Sequence, residues 1–518
     1  MIHTGADTWL LPEHLSIDGL LAALTAEFTL DVAPEYGTMV VYADSFDWRL
    51  YRQGYLLHSH GSCWTLYHNN SGDVTVQQDG PELHDSCFAR DFSAGRLREL
   101  LEPVLGIRCL LPLAAVQLHG RQIRLLNRDE KTVARIVIET QQPAVAGGGQ
   151  SYCLIRLFEV RGYDGEQESV RRILAETGVL EPVSPLIGFV EGCRAKGRSP
   201  LDYSPKFAIE LDGDEAACKA MARIYQALLD TIARNIPGVL ADYDPEFLHD
   251  LRVAIRRTRS GLSLVKRVVP DSVSDRFSRV FSRLGSLTGP TRDLDVYLLA
   301  HEDCLARLPS FLRPGLQDFF AGLSRKRQVE QRKLVRALRA KKNKAILSAW
   351  QQALKRCDRQ PADLGDLPIR ELAGRIILKR FKRVVRDGRI LTTTTPDADV
   401  HRLRIQCKKL RYTMEFFGSL YPEQELHTMI RHLKKLQDIL GRFNDLSVQQ
   451  EMLRQSLKSI GAGSRRNLEQ AAALGGLLQS LFQEQQSLRS HFAEAFAQFG
   501  EQETAALSRE LFKRQESV

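Results

Sequence analysis

Two separated blocks of this sequence recur at one spacing, and this repeat constrains the fold more than any other feature. Residues 249–259 read HDLRVAIRRTR, and residues 401–411, which lie 401 − 249 = 152 positions later, read HRLRIQCKKLR. Residues 289–296 (GPTRDLDV) recur at the same offset as residues 441–448 (GRFNDLSV). Two blocks that keep one offset are not expected by chance, so we infer that a structural unit is duplicated.

The duplicated part of the chain has helical periodicity. Apolar residues recur at helical spacing from about residue 205 onward, and Pro361 and Pro368 interrupt the pattern between the two copies. We therefore predict an all-α domain at 205–518, with repeat one at 205–360 and repeat two at 361–518. The predicted helices pack as bundles and include Ala216–Asn235, Phe247–Val269, Ser274–Leu287, Leu316–Lys344, Ile369–Arg386 and His401–Leu420.

Residues 1–204 have a different pattern, which predicts a second domain. Short segments that alternate apolar and polar residues are separated by Gly and Pro, as in a mostly antiparallel β domain with a few helices. A change in composition at Cys193–Pro205 marks the boundary, and the whole chain is assigned to the α+β class. The predicted strands are Thr38–Ala43, Cys109–Val116, Arg121–Leu126, Val133–Thr140 and Tyr152–Val160.

Charge is distributed unevenly between these two parts. Residues 1–200 contain 18 Lys and Arg against 25 Asp and Glu, a net charge of −7. The remainder then holds 72 − 18 = 54 against 63 − 25 = 38, a net charge of +16. A basic domain of this kind attracts polyanions, so nucleic acid, an anionic membrane surface and a phosphate polymer are all possible partners at this point.

Several classes of protein are disfavoured by what the sequence lacks. It has no run of about 18 apolar residues and no basic, then hydrophobic, N-terminal segment, so we expect a cytoplasmic protein with no membrane partner. Its nine cysteines are scattered without a CxxC pair, which predicts reduced thiols and no metal site. The GxxxxGK[ST], GxSxG and HExxH motifs are absent, so common NTPase, hydrolase and zinc-protease chemistry is not expected.

The basic residues of the repeated helix share one face. At about 100° per residue, four of them fall within an arc of roughly 80° beside an apolar stripe. A single basic face is typically solvated surface, but like charges four residues apart destabilise a helix by roughly 0.2–0.5 kcal/mol. Duplication at the same spacing therefore favours a bound anion. The four are His249, Arg252, Arg256 and Arg259 in repeat one, and His401, Arg404, Lys408 and Arg411 in repeat two.

For other residues of the repeats, the sequence allows more than one structural or functional role. His249 and His401 are either half-buried imidazoles at a helix start or additional donors to phosphate, more so when protonated. Asp293 and Asp445 are predicted to orient Arg or Lys side chains, or to cap a helix, and not to act in catalysis. Residues 325–344 carry ten Lys or Arg against one acid, Glu330. Such runs are commonly solvated, although they add to the positive field.

The repeated blocks resemble the CHAD family over roughly residues 205–518. The resemblance consists of the two helices that start at His249 and His401, each followed 44 positions later by the aspartate of RDLDV or NDLSV. It implies two pseudo-symmetric four-helix bundles that bind inorganic polyphosphate and associate with polyphosphate granules in bacteria. The polyphosphate-binding candidates that it implies are His249, Arg252, Arg256, Arg257, Arg259, His401, Arg404, Lys408, Lys409 and Arg411.

The residues themselves agree with such a ligand. Polyphosphate is a flexible polyanion without bases, so its binder needs closely spaced Arg and Lys side chains, which donate to phosphate and release counterions. The cationic faces contain no aromatic residues, and Tyr412, Phe416 and Phe417 fit better in a core or at its flank. Single-stranded nucleic acid is therefore less favoured, because its binding sites interleave aromatic and basic residues.

The N-terminal part resembles a divergent CYTH, or triphosphate-tunnel, domain, in residues 41–54, 129–136 and 207–211. The ExExK strand that supplies metal-binding glutamates in that family is absent, so we predict a binding protein without catalytic residues or cofactor. The alternative is a triphosphatase or polyphosphatase that uses Mg²⁺ or Mn²⁺ in this domain while CHAD retains the polymer. The residues available to it are Arg49, Arg52, Arg124, Lys131, Arg135, Arg156, Glu139 and Glu159.

Overall fold

The fold is that of a computed structural model of the chain. The structure describes residues 7–12, 14–70, 73–145, 149–179, 181–184, 186–357, 361–392, 394–461, 463–500 and 502–512. The chain divides into two compact units, Met1–Pro205 and Lys206–Val518.

The first unit is built on one antiparallel sheet. Its order is β1-β9-β8-β7-β3-β4-β5-β6, and β2 pairs with β7. The strands are β1 (Asp7–Leu10), β2 (Thr29–Val32), β3 (Tyr36–Asp44), β4 (Tyr55–His60), β5 (Cys63–His68), β6 (Val74–Asp79), β7 (Leu111–Leu126), β8 (Thr132–Pro143) and β9 (Tyr152–Glu159). The helices are α1 (Ile17–Thr25), α2 (Arg49–Arg52), α3 (Arg96–Leu105), α4 (Asp164–Glu176) and α5 (Ile187–Ala195), with a 3₁₀ turn at Ala89–Asp91.

One strand joins two segments that the sequence separates. Cys109–Val116 and Arg121–Leu126 are predicted as two strands, whereas β7 runs without a break through Gly120. The absence of a side chain at Gly120 allows the close approach of its neighbours, because a Cβ there would lie 2.8 Å from the carbonyl oxygen of Ile138. The glycine is therefore a packing residue of a long strand, and not a turn.

The second unit is helical throughout its regular structure, as the periodicity predicts. Its helices are α6 (Ala217–Ala241), α7 (Pro245–Leu264), α8 (Asp271–Leu299), α9 (His301–Ala306), α10 (Gln317–Arg339), α11 (Lys341–Cys357), α12 (Ile369–Arg389), α13 (Asp397–Phe416), α14 (Glu423–Lys458), α15 (Arg465–Ser490), α16 (Phe492–Gly500) and α17 (Gln502–Phe512). Two 3₁₀ turns lie at Ser310–Leu316 and Gly418–Leu420. Helix α8 continues past Gly289-Pro290, where the sequence predicts an end at Leu287.

The helices of the two repeats correspond at the offset seen in the sequence. Helix α13 begins and ends at the positions equivalent to the two ends of α7, and α14 begins at the position equivalent to the start of α8. The segments that precede α6 and α12 pair with each other in an antiparallel bridge at Ala216 and Pro368, which are themselves equivalent positions of the two repeats. The hydrogen bond from Ala217 N to Leu367 O (2.8 Å) is matched by that from Ile369 N to Glu215 O (2.9 Å). An approximate two-fold axis therefore passes between these segments.

Cores form both within and between the repeats. In repeat one the buried ring of Trp350 on α11 lies 5.4 Å from that of Tyr225 and 4.6 Å from that of Phe277, measured between centroids. A further cluster takes Leu294, Phe319 and other residues of α8 and α10 together with Leu446, Leu474 and other residues of α14 and α15. This shared cluster holds α8 and α14 beside each other.

The contact between α6 and α7 gives a first testable prediction. A Cβ added at Gly238 would lie 2.2 Å from the buried ring of Phe247, so Gly238→Ala should lower the free energy of unfolding by about 1–3 kcal/mol through overpacking. Gly475→Ala is the matched control, because no atom lies within 4 Å of its added Cβ. There the helix propensity of alanine should stabilise by about 0.5–1 kcal/mol. Equal effects in urea unfolding would contradict this account of the packing.

Candidate functional site

Local sequence fixes where α7 begins and which of its faces is buried. The Asp244 side chain caps the helix by accepting hydrogen bonds from the backbone N–H of Glu246 (2.8 Å) and of Phe247 (3.3 Å), and Pro245 occupies the first turn. Leu251 and Ile255 are buried, which turns the adjoining basic stripe toward the outer face of the helix. The same division recurs on α13, where Leu403 and Leu410 are buried.

The structure places the ten candidate residues on these two helices, which contact each other. Arg259 and His401 are exposed. The remaining candidates are half-buried: His249, Arg252, Arg256, Arg257, Arg404, Lys408, Lys409 and Arg411. Partial burial exposes the charged ends while the stems pack, which is the usual arrangement of long basic side chains.

Arg256 and Lys408 bring together the two basic rows. The row of α7 contains His249, Arg252, Arg256 and Arg259, and the row of α13 contains His401, Arg404, Lys408 and Arg411. They occupy equivalent positions of the two repeats, and the positive charge of Arg256 acts directly on Lys408. Burial and the nearby charges of Arg404, Arg256 and Arg411 lower the pKa of Lys408 from 10.5 to about 8, although Asp445 opposes the shift. The centre of this surface therefore carries crowded positive charge that Asp445 offsets only in part.

Glycines on α8 allow two arginines to lie across that helix. Arg252 donates from Nη1 to the carbonyl oxygen of Gly285 (3.1 Å) and to the hydroxyl of Thr288 (3.0 Å). Nη1 of Arg259 lies 3.2 Å from the place where a Cβ of Gly285 would be. In repeat two the residue equivalent to Gly285 is Gln437, and there Arg411 donates to its amide oxygen at 3.4 Å. The sequence did not reveal these partners, although Gly285 lies beside the second repeated block.

The two aspartates lie beside the basic rows. Asp445 forms an ion pair with Arg404 at 3.5 Å. Burial raises the pKa of Asp293, against the charges of Arg252, Arg292 and Arg256, which lower it. Both aspartates also act on Tyr297 of α8, whose pKa is raised by burial and then by the charges of Asp293 and Asp445. The two aspartates therefore face a common point between the repeats, and Tyr297 is a residue that the sequence did not single out.

Arg257 ties the two helices to each other. It forms an ion pair with Glu415 of α13 at 2.5 Å, and both side chains are largely buried. Glu415 also accepts from Arg411 at 2.6 Å. The guanidinium of Arg257 lies 5.9 Å from the ring of Tyr412 and 5.3 Å from that of Phe207. Since its charge is paired and its faces are covered, Arg257 contributes more to joining the repeats than to the open surface.

Lys409 lies at the other side of α13. Burial lowers its pKa, and the charges of Arg380 and Arg383 on α12 lower it further. Arg380 contacts Gln406 at 3.5 Å. Lys409 therefore belongs to a cationic group with α12, separate from the row that contains Lys408.

The two histidines have different surroundings. Nδ1 of the exposed His401 is hydrogen-bonded to the amide oxygen of Asn444. The residue equivalent to Asn444 in repeat one is Arg292, which donates to the carbonyl oxygen of Pro245 at 3.1 Å and lies 3.6 Å from Glu246. His249 is half-buried. Asn444 and Arg292 both hold the start of a basic helix against the second repeated block, a role that the sequence did not reveal.

Several donors of the basic rows are not used by the protein. The Nε atoms of Arg256 and Arg404 are buried and have no hydrogen-bond partner among the residues that the structure describes. Guanidinium groups desolvated in this way bind anions more strongly than exposed ones, because the surrounding dielectric is lower.

The candidate residues of the first unit do not form one group. Arg156 and Glu139 are a buried pair at 3.2 Å, and Gln141 donates to the same carboxylate at 2.8 Å. The other members lie in separate contacts or in solvent: Arg124 pairs with Asp31, Glu159 with Arg171 and Arg49 with Asp47, Arg52 donates to the carbonyl oxygens of Asp47 and Tyr203, and Lys131 and Arg135 are exposed.

Two properties of the described residues bear on the class of protein. No group of three or more His, Cys, Asp or Glu in the described ranges could hold a metal ion. In the same part of the chain, no helix is both long and apolar enough to cross a membrane.

Comparison with known proteins gives a family match within the helical part. The model of the CHAD domain family matches residues 223–454. The crystal structure of the CHAD domain from the plant Ricinus communis is similar, with 26% sequence identity, coverage of 57% of this chain and 95% of that chain, and a TM-score of 0.49. PptA from Streptomyces chartreusis is similar with 14% identity, 54% and 99% coverage, and a TM-score of 0.43. No curated protein matches. The antiparallel sheet of the first unit is compatible with a CYTH-like fold.

Proposed function

We propose, from the match of residues 223–454 to the model of the CHAD domain family, that the chain binds inorganic polyphosphate along the basic surface of α7 and α13. The observation that carries the proposal is the convergence of Arg256 from repeat one with Lys408 from repeat two. Burial, and then the charges of Arg404 and Arg256, lower the pKa of Lys408 to about 8. Concentrated positive charge of this kind is costly unless an anion is bound. A phosphate chain supplies closely spaced anions without requiring base recognition.

The surface suits a linear polyanion better than nucleic acid. Phe416 and Phe417 are buried, and Tyr412 is half-buried beneath Arg257. These rings offer no open stacking platform, which sites for single-stranded nucleic acid use. Arg252, Arg256 and Arg404 can instead donate in pairs to phosphate oxygens.

The test is a titration of the full-length protein with long-chain polyphosphate over a salt series, with Mg²⁺ present and free phosphate monitored in the same samples. We expect tight binding that weakens steeply with salt, because each contact releases counterions. Absence of binding at low salt would overturn the proposal, and equal affinity for single-stranded RNA at matched salt would transfer the site to nucleic acid.

We do not assign a hydrolytic step to the first unit. Glu139 is already engaged by Arg156 and Gln141, and Glu159 is paired with Arg171. The expected result of the same titration is therefore no metal-dependent release of phosphate. Release that depends on Mg²⁺ or Mn²⁺ would instead support the enzyme alternative.

Association with polyphosphate granules follows from the proposed binding. Granules present many chains at high local concentration, so contacts that are weak one at a time add up by avidity. A fluorescent fusion should co-localise with granules in cells that store polyphosphate and disperse in cells that store none. Unchanged localisation in cells without polyphosphate would argue against it.

Lys408 makes the binding dependent on pH. The pKa of Lys408 is about 8 in the free protein, and a bound phosphate should return it toward 10.5, so binding takes up a proton above pH 8. Affinity should accordingly fall roughly tenfold between pH 7 and pH 9. In Lys408→Arg, whose guanidinium stays charged, the dependence should be nearly flat. The same slope in both proteins would exclude Lys408 as its source.

Lys408 should affect the stability of the free protein in the opposite sense: stability should rise with pH, whereas affinity for polyphosphate falls. A lysine whose pKa is lowered on folding binds fewer protons in the folded state than in the unfolded state between pH 8 and 10.5. Without polyphosphate, the contribution of Lys408 should therefore make the protein more stable as pH rises through this range. Comparison of the wild type with Lys408→Arg in chemical denaturation isolates this contribution.

A further inference from the structure

The first repeat carries a second basic surface that the duplication does not explain. Residues 331–357 contain nine Lys or Arg and no Asp or Glu. Where α10 ends and α11 begins, Arg339, Lys341, Lys342 and Lys344 are all exposed; we name these four the α10–α11 corner. The equivalent positions of repeat two are His491, Ala493, Glu494 and Phe496. The corner is therefore a feature of repeat one alone.

The corner is connected to the basic row of α7 through helix α8. Nη1 of Arg259, the exposed end of that row, lies 3.2 Å from the position of a Cβ on Gly285. Two residues earlier on α8, the exposed Arg283 donates to the amide oxygen of Asn343 at 3.1 Å. Asn343 lies between Lys342 and Lys344. Arg259, Arg283 and the corner thus place cationic groups on successive helices, from α7 over α8 to the start of α11, and we call this set the cationic path.

The composition of this path indicates what occupies it. The aromatic residue nearest in sequence to the corner, Trp350, is fully buried, so the path lacks the stacking groups that nucleic acid would use. It also lacks exposed apolar residues, since Leu338 is buried and Ile346 and Leu347 are half-buried. An amphipathic membrane-binding face requires such residues. The path can therefore bind a ligand only through its positive charge, as expected for a chain of phosphates.

We propose that the α10–α11 corner binds the distal part of the same polyphosphate chain that occupies α7 and α13, by way of Arg259 and Arg283. This inference rests on the proposed function and adds a preference for long chains. A short chain occupies only the two helices, whereas a long chain also reaches the corner and gains contacts without a second independent binding event. The extension occurs only on the side of repeat one.

The test compares a short polyphosphate of about ten units with a long one of about one hundred units in titrations of the full-length protein. The corner variant is Lys341→Ala/Lys342→Ala/Lys344→Ala. The control variant, Lys355→Ala/Arg356→Ala/Lys458→Ala, removes the same charge from exposed positions. Lys355 lies about 21 Å along α11 from Lys341, at 1.5 Å per residue.

The corner variant should bind the short chain within twofold of wild type and the long chain at least tenfold more weakly. Its salt dependence for the long chain should decrease by about two units in log Kd per log salt, whereas the control variant should resemble wild type. If the corner and control variants bind the long chain equally, the extension is wrong although the proposed function survives. If wild type binds neither chain, both are wrong. The same variants are also titrated with single-stranded RNA. If the corner variant loses affinity for RNA and not for the long polyphosphate, the assignment of the corner to polyphosphate is overturned.

Discussion

Alanine at Arg252, Arg256, Arg404 and Lys408 together is expected to raise the Kd for long-chain polyphosphate at least a hundredfold. These four side chains come from both repeats, and their charges act on one another around Lys408. A polyanion bound at this centre contacts both rows at once, so the loss should exceed that of either pair alone. The salt dependence of log Kd should fall by about three units, at roughly 0.7 per contact for a flexible chain.

A matched variant separates this effect from the loss of net charge. Lys355, Arg356, Lys458 and Arg465 are exposed, and alanine at all four removes the same charge while affinity should change less than threefold, by the weak action of distant screened charges. Because Arg252 also donates to Gly285 and Thr288, a triple variant that retains Arg252 controls for misfolding. Wild-type affinity in a folded quadruple variant would refute the assignment of the site.

Arg327→Met is expected to lower the free energy of unfolding by about 3–5 kcal/mol, a large part of the stability of a typical domain. Arg327 on α10 donates to the buried Asp295 of α8 at 2.8 Å and pairs with Asp242 at the end of α6. Methionine retains much of the packing volume but leaves the Asp295 carboxylate, 3% exposed, without its cation. An uncompensated buried charge is among the most destabilising changes known.

Two controls identify that charge as the cause. Lys333→Met on the same helix breaks only an exposed pair with Glu330 and should change stability by less than about 0.5 kcal/mol. Adding Asp295→Asn to Arg327→Met should restore part of the loss. Burial already raises the pKa of Asp295, and loss of Arg327 raises it further, so the deficit should be greatest at neutral pH and shrink as the carboxyl takes up a proton in acid. A deficit independent of pH, with no rescue, would point to packing instead.

Residues that act within one helix could be predicted from the sequence. Leu251 and Ile255 define a buried stripe by their spacing, and the constant offset between the repeated blocks places α13 and α7 in register. The proximity of Arg256 to Lys408 could not be predicted, because it depends on how the two-fold axis relates two helices distant in the chain. The position of Tyr297 near both Asp293 and Asp445 could not be predicted either, because these two aspartates belong to different repeats and only the packing of α8 and α14 brings them together.

Other secondary-structure elements could not be predicted from the sequence, because tertiary contacts override the local sequence pattern. Strands β4 to β6 lack a clear alternation but are completed by pairing with their neighbours. Pro290 predicts a helix end, yet Leu284 and Leu294, buried on either side of it, hold α8 as one helix. The role of the first unit was the least predictable, because the Arg156–Glu139 pair is a property of the folded interior.

The bridge between Ala216 and Pro368 has a consequence for the ancestry of this chain. Its hydrogen bonds are self-complementary, as in the interface of a symmetric homodimer, and the apolar cluster shared by α8, α10, α14 and α15 would be half exposed in a single repeat. An ancestral protein of one repeat would therefore have dimerised. Duplication of its gene within one chain would have freed each half to diverge, and the basic corner found in only one half is a property that no homodimer of identical subunits could have acquired on one side alone.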